Sequence, residues 1–257
     1  MPLLRTDGIV LTRRLSGESD FICSIYTRDH GKKQFIFKGL KKTRKRPVSL
    51  SEPGSVICIT YYSKENSTIN AVSSFEPVFL APAIRKEALK IHSLYYIVEL
   101  VEKTSGEADS ASDLYNLISS GIGALEKTGM VMHFNLFFTV RYMAMQGILP
   151  GTGRCIHCGS ENALSYDVDS HTLNFTCSAC SEYEGADISG RTALFMRRSS
   201  SERFSLIDMS DVPENEVSLL FIKTAGFIEN YYGFRFKSLD MLMFSRSSSD
   251  KEKGRNP

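Results

Sequence analysis

The chain has 257 residues, 42% of them hydrophobic and 23% charged, a composition typical of globular proteins that excludes a fibrous or intrinsically disordered chain. Its net charge is only +2, yet residues 1–80 hold 13 Lys and Arg against 7 Asp and Glu, which indicates a local anionic partner. The N-terminus has no apolar core of signal-peptide length, and polar residues interrupt the longest apolar stretches. We therefore expect a cytoplasmic protein without a membrane span.

Residues 8–76 are predicted to form a β domain. Runs rich in branched and aromatic residues alternate with turn residues, and these runs lie at 8–15, 21–27, 34–39, 55–62 and 67–77. About five strands in about 70 residues predict a small barrel, for which an OB-fold and an SH3-like barrel fit equally well. The basic stretch KGLKKTRKRP lies between the third and fourth runs, so it is predicted to be a connecting loop.

From Pro82 onward the pattern indicates helices. Residues 81–103 carry apolar side chains at helical spacing, with Pro82 at a permitted position in the first turn. A third helix, over 130–146, is apolar on most sides and is therefore expected at the centre of a bundle. The other predictions are a helix from Asp109 or Ser110, one near Ser189, one from Pro213 to Tyr232 with Gly233 as its C-cap, and a frayed polar tail over 246–257.

Four of the six cysteines form two Cys-x-x-Cys pairs, namely Cys155 with Cys158 and Cys177 with Cys180. Two intervening residues allow both sulfurs of one turn to reach one ion, and the 18 residues between the pairs suffice for a β-hairpin that places the turns face to face. We predict one structural Zn²⁺, because four thiolates close the coordination shell and leave no position for water. Unrelated cysteines or two redox pairs are the alternatives.

Motifs for catalysis do not appear in the sequence. It contains no phosphate-binding loop, dinucleotide-binding fingerprint, serine-nucleophile elbow or His-Glu-x-x-His motif. A zinc deaminase would need His-x-Glu ahead of Pro-Cys-x-x-Cys, and none of the 5 histidines is followed by Glu two positions on. The sequence therefore predicts a binding protein rather than an enzyme. An enzyme that uses zinc for structure only is kept as an alternative.

Basic side chains in the β domain are the candidate DNA contacts, and they are Lys38, Lys41, Lys42, Arg44, Lys45 and Arg46 of the loop with Arg13, Arg14, Lys32 and Lys33 of the strands. Aromatic candidates for base stacking in the same domain are Phe21, Tyr26, Phe35, Phe37, Tyr61 and Tyr62. OB-folds hold single strands by combining a positive groove with stacking faces, so we predict DNA or RNA contact without sequence specificity. A solvated loop without a partner and a nuclear-localisation signal are the alternatives.

Several stretches carry a resemblance to a known family, and they are DGIVLTRRLSGESD, HGKKQFIFKGLKK, QGILPGTGRCIHCG, CSAC and YYGFRFKSLDML. In this order and spacing they resemble the bacterial RecO family of recombination mediators over nearly the whole chain apart from its tail. Two details differ from the family. Members often carry Phe-Glu where this chain has Phe138-Thr139, and the usually glycine-rich second half of the knuckle is DSHTLNFTC.

The predicted fold is α+β and has five parts. They are an OB-fold DNA-binding domain at 1–79, a helical domain in two parts at 80–149 and 188–245, a Cys₄ zinc knuckle inserted at 150–187, and the polar tail at 246–257.

The resemblance further implies a non-enzymatic role in recombinational DNA repair. Such proteins bind single- and double-stranded DNA, anneal complementary strands and help load RecA onto strands coated by the single-stranded-DNA-binding protein. The implied partners are RecR, sometimes RecF, and the C-terminal tail of the single-stranded-DNA-binding protein, for which Arg141 is a candidate contact. The alternative is a zinc-ribbon factor for RNA or transcription, although its knuckle would carry little charge beyond Arg154.

Overall fold

The computed structural model describes residues 2–43, 47–63, 68–106, 111–151, 153–182 and 187–253, without the side chains of Ala111 and residues 248–253. The contacts divide the chain into two compact units. The first is Met1–Lys127 with Phe236–Pro257, and the second is Thr128–Arg235. No helix within the described ranges is long and apolar enough to cross a membrane.

The first unit contains a closed five-stranded barrel, whose strands are β1 Leu3–Ser16, β2 Asp20–Thr27, β3 Gly31–Phe37, β4 Val56–Tyr62 and β5 Ile69–Phe79. Their order around the barrel is β1-β2-β3-β5-β4, and β1 pairs with β4 to close it. All pairs are antiparallel except β3 with β5, which run parallel. The predicted N-terminal OB-fold barrel is confirmed.

Strand alternation fills the barrel interior with apolar side chains. On β3, Phe35 and Phe37 point inward and are buried, whereas Gln34 and Ile36, which alternate with them, are half-exposed. The ring of Phe35 meets that of Tyr61 edge-on, with centroids 5.0 Å apart. The other buried members of this core are Val10, Cys23, Ile25, Leu40, Leu50, Ile57, Ile59 and Val72.

Six α-helices lie in the described part of the chain, namely α1 Ala88–Thr104, α2 Ala111–Lys127, α3 Val131–Met145, α4 Gly190–Ser199, α5 Glu214–Tyr232 and α6 Lys237–Lys253. The central position predicted for α3 is confirmed, because 12 of its 15 residues are buried. The start of α4 near Ser189 and the C-cap of α5 at Gly233 also follow the prediction. The hydroxyl of Ser189 accepts the Thr192 N–H, and Gly233 adopts a left-handed φ of 72°.

One predicted helix start is wrong, and the segment predicted as a frayed tail is partly helical. The first helix does not begin at Pro82: Ile84–Lys86 forms a 3₁₀ turn and α1 starts at Ala88. The carboxylate of Glu126 in α2 accepts the N–H groups of Ala83 and Ile84, each at 2.8 Å, and so fixes this segment outside the helix. The predicted tail is helical as far as Lys253, because no Gly or Pro interrupts the sequence before Gly254.

The helix α6 joins the first unit through a carboxylate in α1. Glu99 accepts the N–H groups of Lys237 at 3.0 Å and of Ser238 at 2.8 Å, and thereby caps the first turn of α6. The ring of Phe236 lies 4.9 Å from that of Tyr96 in α1. The contacts thus group α1, α2 and α6 with the barrel, a grouping that the sequence pattern did not indicate.

The second unit holds α3, α4, α5 and a three-stranded sheet of β6 Ser165–Val168, β7 Phe175–Cys177 and β8 Ile188–Ser189, in the order β7-β6-β8. β6 and β7 form the hairpin predicted between the two cysteine pairs, with Tyr166 opposite Cys177.

Candidate metal centre and nucleic-acid interface

The four paired cysteines converge on one point in the second unit. The sulfurs of Cys155, Cys158, Cys177 and Cys180 all lie within 4.8 Å of one another. The distance from Cys158 Sγ to Cys177 Sγ is 3.7 Å. A tetrahedral ion with bonds of about 2.3 Å would hold its sulfurs about 3.8 Å apart, so this cluster has the size of a four-sulfur metal site.

Backbone hydrogen bonds build the two cysteine turns. Gly159, directly after the first pair, has a left-handed φ of 72°, and its N–H donates to the Cys155 carbonyl at 2.9 Å. The N–H groups of Cys180 and Ser181 both donate to the Cys177 carbonyl at 2.9 Å. The Ile156 N–H donates to the Phe175 carbonyl at 2.8 Å, which attaches the first turn to β7 beside the second.

The pKa values of two thiols in the cluster are shifted in opposite directions. Burial opposes ionisation of the Cys155 thiol, but backbone N–H donors of Cys177, Cys158 and His157 bring its pKa down to about 6. Hydrogen bonds with the sulfurs of Cys177 and Cys158 raise the pKa of the Cys180 thiol to about 12. The protein alone therefore favours a thiolate at Cys155 and a thiol at Cys180, and four thiolates this close would require a bound cation to offset their repulsion.

Charges around the cysteine turns are mostly paired within the second unit. Arg154 lies 2.5 Å from one carboxylate oxygen of Glu161, and Arg197 lies 2.9 Å from the other. His157 and His171 are exposed. Arg141 in α3 donates to the Glu202 carbonyl and lies 5.6 Å from the Phe137 ring, and burial lowers its pKa. These partners leave little unpaired positive charge near the knuckle.

The basic loop begins at one end of the barrel, beside the turn between β1 and β2. The Asp20 carboxylate accepts the Gly39 N–H at 2.8 Å, and the Lys41 N–H donates to the Ser19 carbonyl at 3.0 Å. Leu40 is fully buried in the barrel core. The loop therefore leaves β3 along a fixed path that holds its first lysines at the rim.

The side chains of Lys38, Lys41 and Lys42 at this rim are exposed. Lys42 lies 3.0 Å from the Glu18 carboxylate, but both groups face solvent, so the pair is worth little. Neither Lys38 nor Lys41 forms an ion pair with the described residues. The predicted contacts Arg44, Lys45 and Arg46 lie outside the described part of the chain.

Of the remaining four predicted contacts, two are exposed and two are held against the protein. Arg14 is exposed near the same rim, whereas the Arg13 guanidinium lies 4.8 Å from the Phe21 ring and donates to the Ser51 hydroxyl at 3.2 Å. Lys32 Nζ donates to the Glu102 carbonyl at 2.7 Å. Lys33 is exposed at the opposite end of β3, five residues or about 17 Å before Lys38.

The aromatic candidates for base stacking also differ in how far they are buried. Tyr26, Phe35, Phe37 and Tyr61 are buried, and Phe21 lies beneath Arg13. Tyr62, at the end of β4, keeps 45% of its surface exposed. Sequence alternation placed all six residues in strands, but only the barrel closure shows which of them points to solvent.

Family models match the chain over both units. The Recombination protein O N-terminal model covers residues 1–80, and the Recombination protein O C-terminal model covers residues 85–240. The chain belongs to the RecO family. The resemblance predicted from the sequence motifs is therefore confirmed, and the barrel and the cysteine cluster each fall within a RecO family model.

Relatives named DNA repair protein RecO extend the match along the chain. The protein from Caldanaerobacter subterraneus subsp. tengcongensis is 25% identical over 249 residues, which cover 95% of this chain and 98% of the relative. That from Syntrophobacter fumaroxidans is 29% identical over 159 residues, or 62% of this chain and 63% of the relative. That from Leptospira biflexa serovar Patoc is 24% identical over 184 residues, or 70% and 73%.

Proposed function

We propose that this RecO-family chain is a non-enzymatic DNA-binding protein of recombinational repair that anneals complementary strands. The observation that carries the proposal is the group of exposed cations Arg14, Lys38 and Lys41 at one rim of the barrel. The loop that starts there continues in sequence with Arg44, Lys45 and Arg46. No second function is favoured by a comparable group of unpaired charges on the described surface of the knuckle.

Annealing would follow from phosphate contact alone. Lysine and arginine side chains neutralise phosphates and release counterions, and they do so on single and double strands without reading sequence. Two screened backbones can then approach each other while their base edges stay free to pair. This mechanism needs no ATP, so the absence of a nucleotide-binding motif in the sequence is compatible with it.

We assign Zn²⁺ to the cysteine cluster as a structural ion. Cys155, Cys158, Cys177 and Cys180 would hold it, and four thiolates with a closed tetrahedral shell are the ligand set that Zn²⁺ prefers in structural sites. When bound, the ion would join the two turns to β7 and offset their negative charge. It would leave no position for a reacting water, so the proposal gives it no part in chemistry.

The partners of the proposed function come from the family. We propose that the protein helps load RecA onto strands coated by the single-stranded-DNA-binding protein, and acts with RecR and sometimes RecF. The C-terminal tail of the single-stranded-DNA-binding protein is the further proposed contact. Its docking on Arg141 is less favoured, because that guanidinium is held by Glu202 and Phe137. The proposed location is the bacterial cytoplasm, at the nucleoid.

A strand-annealing assay without ATP, repeated over a salt series, tests the proposal. The test variant replaces Lys41, Lys42, Arg44, Lys45 and Arg46 by Ala. The matched control replaces five exposed cations outside the barrel strands and the basic loop, namely Lys86, Lys103, Lys127, Arg235 and Lys237. We expect the test variant to anneal at least about tenfold more slowly at physiological salt, and the control to match the wild type. If each lost cation contacts one phosphate, the salt slope of single-strand binding falls by about 3.5.

Circular dichroism of both variants should match that of the wild type, which checks that they keep the fold. Normal annealing by the test variant would overturn the proposed role of the basic loop. Activity that depends on added ATP would instead indicate an enzyme.

A further inference from the structure

The side of the barrel that OB-folds commonly use for nucleic acid is partly covered in this chain. Such proteins bind oligonucleotides over strands 2 and 3. Here the outward residues of β2 are buried: Tyr26 is fully enclosed, and the Ser24 hydroxyl donates to the Glu102 carboxylate of α1 at 2.8 Å. Lys32 at the start of β3 donates to the Glu102 carbonyl. A strand bound to this barrel must therefore avoid β2 and the start of β3.

An open surface continues from β3 in the other direction, over β5 and β4. Ile36 on β3 is paired with Ala71 on β5, and Ala71 is paired with Tyr62 on β4. Ile36 and Ala71 are half-exposed and Tyr62 is 45% exposed. The three residues form a row across two inter-strand spacings, which is about 10 Å long.

Cations lie at one end of this row. Lys38 follows Ile36 by two residues, or about 7 Å along the strand direction, and it is exposed. Lys41 is exposed three residues further on, beyond buried Leu40. Here the aromatic face of Tyr62 lies at the other end of the row from these cations. Proteins hold single strands by combining stacking faces with cations along one groove, since bases stack on the ring and phosphates meet the cations.

We propose that single-stranded DNA crosses the barrel over β3, β5 and β4, with one base stacked on Tyr62 and the phosphates of nucleotides further along the strand held by Lys38 and Lys41. This inference rests on the proposed DNA-binding function. It adds a residue whose contact favours single-stranded DNA over duplex DNA. In a duplex the bases are already stacked on one another, so Tyr62 has no free base to contact. The rim cations serve both forms, whereas Tyr62 serves the single strand alone.

The test compares Tyr62→Ala with the wild type by fluorescence anisotropy, using a labelled 20-nucleotide single strand and a 20-base-pair duplex. We expect the variant to bind the single strand about 5-fold to 150-fold more weakly and the duplex as before. Tyr62→Phe keeps an aromatic face and should bind both like the wild type. Tyr95→Ala removes a comparably exposed tyrosine (41%) from α1 and is the matched control, expected to bind both normally.

A second substrate keeps the result independent of folding effects. The wild type should bind a single strand with abasic positions more weakly than the normal strand, by about the factor by which Tyr62→Ala weakens binding of the normal strand. Tyr62→Ala should bind the abasic strand and the normal strand equally. If Tyr62→Ala and the wild type bind the single strand equally, the inference is overturned and the proposed function stands. The same holds if Tyr62→Ala loses affinity for the single strand and for the duplex by the same factor. Failure of the wild type to bind either form would overturn the proposed function itself.

Discussion

Gly54 shows how a single backbone position joins the barrel to α1. Its φ is 81°, in the left-handed region that side chains disfavour, and its N–H donates to the Val10 carbonyl at 2.8 Å. A Cβ at this position would lie 2.4 Å from Leu94 Cδ2 in α1. The close approach of helix and barrel at this point therefore requires glycine.

We expect Gly54→Ala to lower the free energy of unfolding of the first unit by about 2–5 kcal/mol. Left-handed backbone contributes about 1–2 kcal/mol of this cost, and overpacking against Leu94 contributes about 1–3 kcal/mol. Gly17→Ala is the matched control: Gly17 has a φ of 62° but nothing within 4 Å of the added Cβ, so only the backbone cost applies. Urea titration of the three proteins measures both losses, and equal losses for the two variants would contradict the packing argument.

At the same scale, the sequence determines some site residues better than others. The four cysteines could be assigned individually, because their spacing predicts that the sulfurs converge on one point, and the structure brings them within 4.8 Å of one another. The cations could be predicted only as a group. Arg13 and Lys32 have the same charge as Lys38, yet both are held against the protein. The Phe21 ring and the Ser51 hydroxyl contact Arg13. The Glu102 carbonyl accepts a hydrogen bond from Lys32.

Among the elements, local sequence predicted those whose signals are local. The strands follow from alternation and the end of α5 from Gly233, and the structure agrees. Contacts between residues distant in sequence determine where α1 starts and how α6 begins, and the sequence pattern did not predict either. A carboxylate about 40 residues away in sequence delays the start of α1, and one in α1 caps α6. Periodicity cannot reveal such contacts, since the donor and the acceptor lie in different elements.

At the scale of elements, the hairpin of β6 and β7 ends at Cys177, one of the four cysteines that we propose bind Zn²⁺. We expect reduced wild-type protein to hold one Zn²⁺ per chain and Cys177→Ser to hold none, since three thiolates and a hydroxyl no longer make the closed shell. Cys58→Ser is the control, because Cys58 lies in the barrel and its sulfur accepts the Arg5 Nε–H at 3.0 Å. Atomic emission measures the metal, and less than about half an equivalent in the wild type would contradict the assignment.

At the scale of the whole chain, the first unit is completed by residues from both ends of the sequence. The chain leaves this unit after Lys127 and returns at Phe236, whose ring is buried against α1. Leu242 of α6 is also fully buried. The unit that carries the proposed DNA interface therefore depends on residues that follow the entire second unit in sequence.

A chain ended after Arg235 should have a destabilised first unit even though every barrel residue is present. It loses the Phe236 ring against Tyr96, the Glu99 cap and the hydrogen bond between His92 Nδ1 and the Ser245 hydroxyl at 2.6 Å. Loss of one buried aromatic ring alone costs about 3–5 kcal/mol. A chain ended after Ser247 keeps all three contacts and is the matched control. Hydrogen–deuterium exchange resolves the barrel strands from the second unit, and we expect faster exchange in α1 and β1–β5 of the shorter chain only. Unchanged protection of those strands after removal of α6 would show that the barrel is stable without it.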